Sequence, residues 1–318
     1  MDNSQLIYLV FGIIVLVALV FDLGLLSKKN KAITTQTALI QTAFWVAIAL
    51  GFFTFLWMEE GRKPALEYLS AYLMEWSLSI DNIFVFIIIF SAFKVREKFY
   101  GRVLLIGILM AIFLRIIFIT VGVTLVNQFH WLLYGFGLFL LFTGYKMFTS
   151  NEDETFVPQE SKIYRLLKKF LPLVAHDGNG KYIVRENGKP VYTTLFVVVV
   201  LLGAIDLVFA LDSIPAVMGI SQDKLIIYSS NTFAVLGLRS LFFLLRGAVS
   251  KFDYLQQGIA IVLIFIGVKM LAEHWINHWL SKDIQVLISL SVIVLCISGS
   301  ILYSISHQKK GTPKDKPI

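Results

Sequence analysis

Glu75-Trp-Ser-Leu-Ser-Ile-Asp81-Asn82-Ile-Phe84 places two carboxylates and an amide inside an apolar run long enough to cross a membrane. Asp206-Leu-Val-Phe-Ala-Leu-Asp212-Ser213-Ile-Pro215 repeats the pattern. The acids are again six apart, and a polar residue again follows the second acid. A charged side chain at bilayer mid-depth costs about 2.5–3.5 kcal/mol on insertion scales. Four such acids in two matched sets therefore mark a site with work to do.

The rest of the chain has the composition of a polytopic membrane protein. Hydrophobic residues make up 57% and charged residues 15%, and the mean hydropathy is +0.77. A span needs about 20 apolar residues. Nine such stretches are readable, at roughly 5–26, 37–57, 66–92, 102–126, 131–149, 192–220, 225–246, 253–275 and 284–305. The expected fold is thus all-α. Two N-terminal spans (1–60) precede a first set of three (61–149) and a loop (150–191). A second set of three (192–280) follows, then a last span with a basic tail (281–318).

The net charge of +7 fits basic loops on one side of a membrane, not a nucleic-acid surface. Of the 28 Lys and Arg, Arg62, Lys63, Lys224 and Lys282 fall on one side, and Arg115, Arg239 and Lys269 lie within spans. All the others fall on the opposite side. The positive-inside rule then predicts a multi-pass protein with its N-terminus outside and its C-terminus in the cytoplasm. The first span has Lys28, Lys29 and Lys31 after it and no basic residue before it, which reads as an uncleaved anchor. In the loop, Ser161 to Phe170 predicts a basic amphipathic helix near the membrane surface. Tyr182 to Tyr192 predicts a hairpin turning at Asn187-Gly188.

The two acid motifs belong to a longer repeat. Leu114-Arg115-Ile-Ile-Phe118 matches Leu238-Arg239-Ser-Leu-Phe242, and Leu140-Leu-Phe-Thr-Gly144-Tyr-Lys146 matches Leu263-Ile-Phe-Ile-Gly267-Val-Lys269. Spans 3–5 thus recur as spans 6–8. An odd number of spans separates the equivalents, so the two copies have opposite orientation. Inverted repeats of this kind are a common plan in secondary transporters, with the site at the repeat interface near mid-membrane.

At about 100° per residue, Glu75, Ser79 and Asn82 share one helix face, and so do Asp206 and Ser213. Asp81 and Asp212 lie about 120° away from the first acid of each set. Pro215 lacks an amide hydrogen, which leaves the Leu211 carbonyl without its helical partner beside Asp212. Carboxylates, an amide, a hydroxyl and a carbonyl are hard oxygen ligands. They suit Mn²⁺, Mg²⁺ or Ca²⁺ better than softer metals. The five histidines lie at span ends, in the loop or on the tail, and the single Cys296 excludes a Cys-based metal centre. Arg115 and Arg239 would balance part of the acid charge when no cation is bound. Asn231 is a further oxygen ligand or a packing hydrogen bonder.

With Phe84-Val85-Phe86 and Ser230-Asn231-Thr-Phe-Ala-Val-Leu-Gly-Leu-Arg239, these strings resemble the TerC family, and within it the Alx-type members, over about residues 65–275. The resemblance implies a membrane transporter that exports Mn²⁺ and needs the acids at Glu75, Asp81, Asp206 and Asp212. It also implies, without any motif of its own, a link to the secretion machinery. The expected metal set is Glu75, Asp81, Asn82, Asp206, Asp212 and Ser213. Mn²⁺ is then cargo, no resident cofactor is expected, and membrane lipid is the surrounding partner.

Four other readings compete. An intramembrane aspartyl protease is disfavoured, because Asp206 follows Gly203-Ala-Ile and Asp212 follows Phe209-Ala-Leu, not Gly-x-Gly. No Gly-x₄-Gly-Lys-[Ser/Thr] stretch supports an ATP-driven pump. A membrane scaffold with structural acids, and an exchanger of another divalent cation such as Ca²⁺, stay open on the sequence.

Overall fold

In the computed structural model the described residues are 3–26, 34–149, 158–186, 188–246 and 254–308. Five helices come first: α1 (Asn3–Leu26), α2 (Thr35–Glu59), α3 (Arg62–Ala92), α4 (Glu97–Gln128) and α5 (Leu132–Thr149). A short helix α6 (Lys162–Phe170) and a hairpin of β1 (Ile183–Glu186) and β2 (Lys189–Tyr192) fill the loop. Then come α7 (Thr194–Ile220), α8 (Lys224–Leu245), α9 (Leu255–Leu271), α10 (Glu273–Trp279) and α11 (Lys282–Gln308).

Among the described residues, 7 helices are long and apolar enough to cross a membrane: α2, α3, α4, α5, α7, α8 and α11. Two shorter apolar stretches lie at Gln5–Ala18 in α1 and along α9. The difference from nine spans has a local cause at α9. At 1.5 Å per residue that helix reaches about 26 Å, short of a hydrocarbon layer about 30 Å thick. The chain turns at Ala272 (φ −91°, ψ 6°) before α10 begins. The expected span at 253–275 is therefore α9 plus the first turn of α10.

The distribution of polarity is that of a membrane protein. Glu75, Arg115 and Asp206 are at most 2% exposed, while Leu295 is 70% exposed and Phe142 65%. Water would drive the opposite arrangement; a lipid surround rewards apolar side chains outside and demands that polar groups pair inside.

Helix α8 is the axis of the bundle and is buried along nearly its whole length. Helix α3 packs along α8, α4 along α7, and α5 along α9. Exchanging the α3–α5 set for the α7–α9 set leaves this pairing unchanged. Helices α2 and α1 cover α8 from outside, and α11 closes against α3 and α9. An aromatic cluster of Phe52, Tyr68 and Phe233 joins α2, α3 and α8, with ring centroids 5.3 Å apart for Phe52–Tyr68 and for Phe52–Phe233. Where α5 crosses α9, glycines let the backbones touch. A Cβ on Gly144 would stand 2.9 Å from the Ala260 carbonyl oxygen, and one on Gly267 would stand 2.8 Å from that of Gly137.

The hairpin has the expected form. Glu186 pairs with Lys189 and Ile183 with Tyr192, leaving a two-residue connection. Gly188 takes the positive φ of +78° that such a turn requires, and Asn187 lies outside the described residues. The loop is fastened to the α3–α4 turn by Arg96, whose Nη2 donates to Asp177 Oδ1 at 2.8 Å. The Arg96 hydrogen bonds hold the Asp177 carboxyl below the usual carboxylate range, and a backbone bond from Asn179 helps.

Candidate functional site

Two neighbouring stations form from the acid motifs. The first is an ion cluster. Glu75 comes from α3, Arg115 from α4, Asp206 from α7 and Asn231 from α8. Arg115 Nε donates to Asp206 Oδ2 at 2.6 Å and Nη2 to Asp206 Oδ1 at 3.2 Å. Its Nη1 donates to Glu75 Oε2 at 2.8 Å. The amide of Asn231 donates from Nδ2 to Glu75 Oε1 at 2.7 Å. One planar guanidinium thus forks between two carboxylates, a geometry Lys could not reproduce. With all three groups ionised, the triad carries one net negative charge. Desolvating three charges is costly, and only this full set of hydrogen bonds makes the burial tolerable.

The second station is a cavity of about 90 Å³ two turns along α3. Asn82, Thr143, Asp212 and Ser213 line it with polar groups, and Leu78, Phe209 and Leu263 wall it. Thr143 Oγ1 donates to Asp212 Oδ1 at 3.3 Å. Ser213 is 1% exposed, and its hydroxyl has no hydrogen-bond partner among the described residues. A buried hydroxyl usually has one, so an orphan at a largely apolar cavity that Asp212, Asn82 and Thr143 also line leaves a place for a small polar occupant.

The expected metal set is therefore distributed. Glu75 and Asp206 meet on Arg115, while Asn82, Asp212 and Ser213 meet at the cavity. Asp81 sits on the α3 backbone, and its side chain lies outside the described residues. Among the described residues no three His, Cys, Asp or Glu side chains gather closely enough to hold a metal ion. Any cation at the cavity would draw on amide and hydroxyl oxygens beside Asp212. Helix α7 runs without interruption through Pro215, so no break in the helix re-aims Asp212. Arg239 is buried on α8, as a charged residue inside a span must be.

The profile of the integral membrane protein TerC family matches residues 60–312. The chain belongs to the TerC family. This TerC protein is 40% identical to the uncharacterised membrane protein STKORF319 of Myxococcus xanthus, over 95% of its own length and 92% of the relative's. It is 39% identical to an uncharacterised membrane protein of Rickettsia felis, over 93% and 97% of the two chains. It is 37% identical to Alx of Escherichia coli K12, described as a candidate membrane-bound redox modulator, over 95% and 96%. No solved structure matches the TerC chain significantly.

Sequence reasoning passed over Thr143, although it lies in the quoted match before Gly144. The signal was present: a hydroxyl in an otherwise apolar turn of α5. Lys269, within a span by its sequence, donates from Nζ to Ser289 Oγ at 3.0 Å and lines a cavity of about 350 Å³ with Glu67 and Glu273.

Proposed function

We propose that this TerC protein is a secondary transporter that exports a divalent cation, Mn²⁺, across the inner membrane. The observation that carries the reading is the Ser213 hydroxyl, without a partner among the described residues, at a cavity that Asp212, Asn82 and Thr143 also line. Hard oxygens of mixed charge are what Mn²⁺, Mg²⁺ or Ca²⁺ bind, and family resemblance selects Mn²⁺ among them. The Arg115 cluster supports it too. A fixed internal cation, Arg115, partners both Glu75 and Asp206 beside the cavity, so two acids share a single base there.

The positive-inside count supports an N-terminus outside and the basic loop face in the cytoplasm. Outward movement against an inside-negative potential costs about 2.3 kcal/mol per charge per 100 mV, and a divalent ion pays twice. Counterflow of H⁺ onto the carboxylates that release the cation is the coupling that fits. The redox description attached to the E. coli relative would here have to work without an intrachain disulfide, because Cys296 is the single cysteine.

The test is cellular Mn content in cells lacking their own exporter, with wild type, Asp212→Asn and Ser213→Ala at matched membrane abundance. Export requires that wild type lowers Mn and that both variants fail to. Equal Mn in all strains, with the variants folded, would leave the acids structural and return the chain to the scaffold reading. A change in Ca instead of Mn would reassign the cargo.

A further inference from the structure

Beside the transport pathway, α6 and its surroundings build a second site. Helix α6 is strongly amphipathic. Ile163, Tyr164 and Leu167 pack against the bundle, while Lys162, Arg165, Lys168 and Lys169 face out together with Leu166 and Phe170. Leu166 is 57% exposed and Phe170 70%, so the helix presents apolar and basic groups to the same surroundings. Such a helix lies in a membrane interface, its apolar side chains at the acyl boundary and its basic ones among the headgroups.

A cleft of about 590 Å³ opens beneath it, between the end of α3, the start of α7 and the strand-like segment Leu171–Ala175. Its lining is two-sided. Phe93, Leu173 and Val197 are apolar, and Lys94 and Lys168 bring two positive charges from different segments of the chain. The walls are built with care. Gln159 Nε2 donates to the Ala92 carbonyl at 2.9 Å, and the Phe93 and Tyr164 rings pack with centroids 5.6 Å apart. Lys94 itself sits at φ +48°, a conformation that favours glycine, and this turn is what brings its side chain to the cleft. Thr194, the first residue of α7, also lines the cleft. The Thr193 hydroxyl donates to the Lys181 carbonyl at 2.7 Å and the Thr194 N–H to the His176 carbonyl at 3.1 Å, so the segment before α7 is tied in place and the helix dipole adds only a weak positive field to the two lysines.

We propose that this cleft binds the phosphate-bearing headgroup of an anionic membrane phospholipid, with α6 lying on the membrane beside it. Charge selects the headgroup: two lysines and a helix N-terminus converge where the exposed face of the adjacent helix is also basic. The apolar walls and the exposed Leu166 and Phe170 select a lipid over a soluble anion, because only a lipid supplies an acyl chain to cover them. The inference stands independently of the cargo that the chain carries.

The experiment uses the full-length protein in a neutral detergent. Binding of dioctanoyl-phosphatidylglycerol, dioctanoyl-phosphatidylcholine and inorganic phosphate is read by native mass spectrometry and by the shift in thermal unfolding. Phosphatidylglycerol is expected to bind and stabilise the wild type. Lys94→Gln with Lys168→Gln is expected to weaken it about thirtyfold, equivalent to about 1 kcal/mol for each lysine. Lys94→Arg with Lys168→Arg should retain it. Lys162→Gln with Lys169→Gln removes the same charge from α6 outside the cleft and should cost clearly less. Equal losses in the two Gln pairs would replace the cleft by diffuse attraction and overturn the proposal. So would equal binding of phosphatidylcholine, which would assign the cleft to acyl chains, or equal stabilisation by inorganic phosphate, which would assign it to a soluble anion.

Discussion

Replacing Arg115 by Gln is the most informative single change in the membrane interior. Three hydrogen bonds to two carboxylates disappear at once, at 2.6, 2.8 and 3.2 Å. Glu75 and Asp206 are then left facing each other inside the bundle, each 1% exposed or less. Removing one partner of a buried ion pair costs about 3–5 kcal/mol, because the surviving charge keeps its desolvation penalty. Arg115→Gln should reach at least the lower end of that range. Asp206→Asn leaves a neutral Arg115–Glu75 pair and should cost less, about 1.5–3 kcal/mol for weakened bonds to a charged group. The decisive variant is the triple Arg115→Gln, Glu75→Gln, Asp206→Asn, in which no charge is stranded. It should recover most of what Arg115→Gln loses. The assay is denaturant unfolding in detergent micelles, followed by the fluorescence of the 6 tryptophans. A triple variant no more stable than Arg115→Gln would refute the electrostatic account and make the guanidinium a matter of packing alone.

Three further outcomes follow from the same geometry. Gly144→Leu should destabilise the α5–α9 crossing by about 1–3 kcal/mol, since even a Cβ there stands 2.8 Å from Ile264 Cγ1, and a thermal melt reads it. Thr143→Val removes the hydroxyl on Asp212 while keeping its shape; vesicle uptake should show half-saturating Mn²⁺ raised about 10–100-fold with folding intact. Asp177 gives the loop a pH dependence. Its folded pKa lies below the unfolded value near 4, so its contribution is whole above that value and fades as pH falls through the folded one. Hydrogen exchange across residues 172–193, compared with Asp177→Asn at each pH, should differ at pH 7 and converge in strong acid; a difference that persists there would remove Asp177 from the account.

Much of the architecture was legible because a bilayer imposes so few solutions. Apolar length gave the helices, and Asn187-Gly188 gave the hairpin and its register. The pairing of the acids was not legible. Helical angles place Glu75 and Asn82 on one face of α3, but they say nothing of how far α4 or α7 slides along it. That slide decides that Glu75 meets Arg115 and Asn231 while Asn82 meets Asp212 and Thr143. The end of α9 at Ala272 was hidden for a similar reason: Leu271, Ala272 and Glu273 are all good helix formers, and the turn there is imposed by packing.

The Arg115 fork also orders events in biosynthesis. Glu75 precedes its cation by 40 residues, whereas Asp206 follows it by 91. At about 5–20 residues per second, Arg115 leaves the ribosome within seconds of Glu75 and then waits about 5–18 s for its second partner. Until then the nascent chain holds one acid against one base, a neutral couple suited to lipid. Only when α7 arrives does the triad become an anion. With every group ionised, the excess negative charge of this cluster belongs to neither half of the chain and arises from their union.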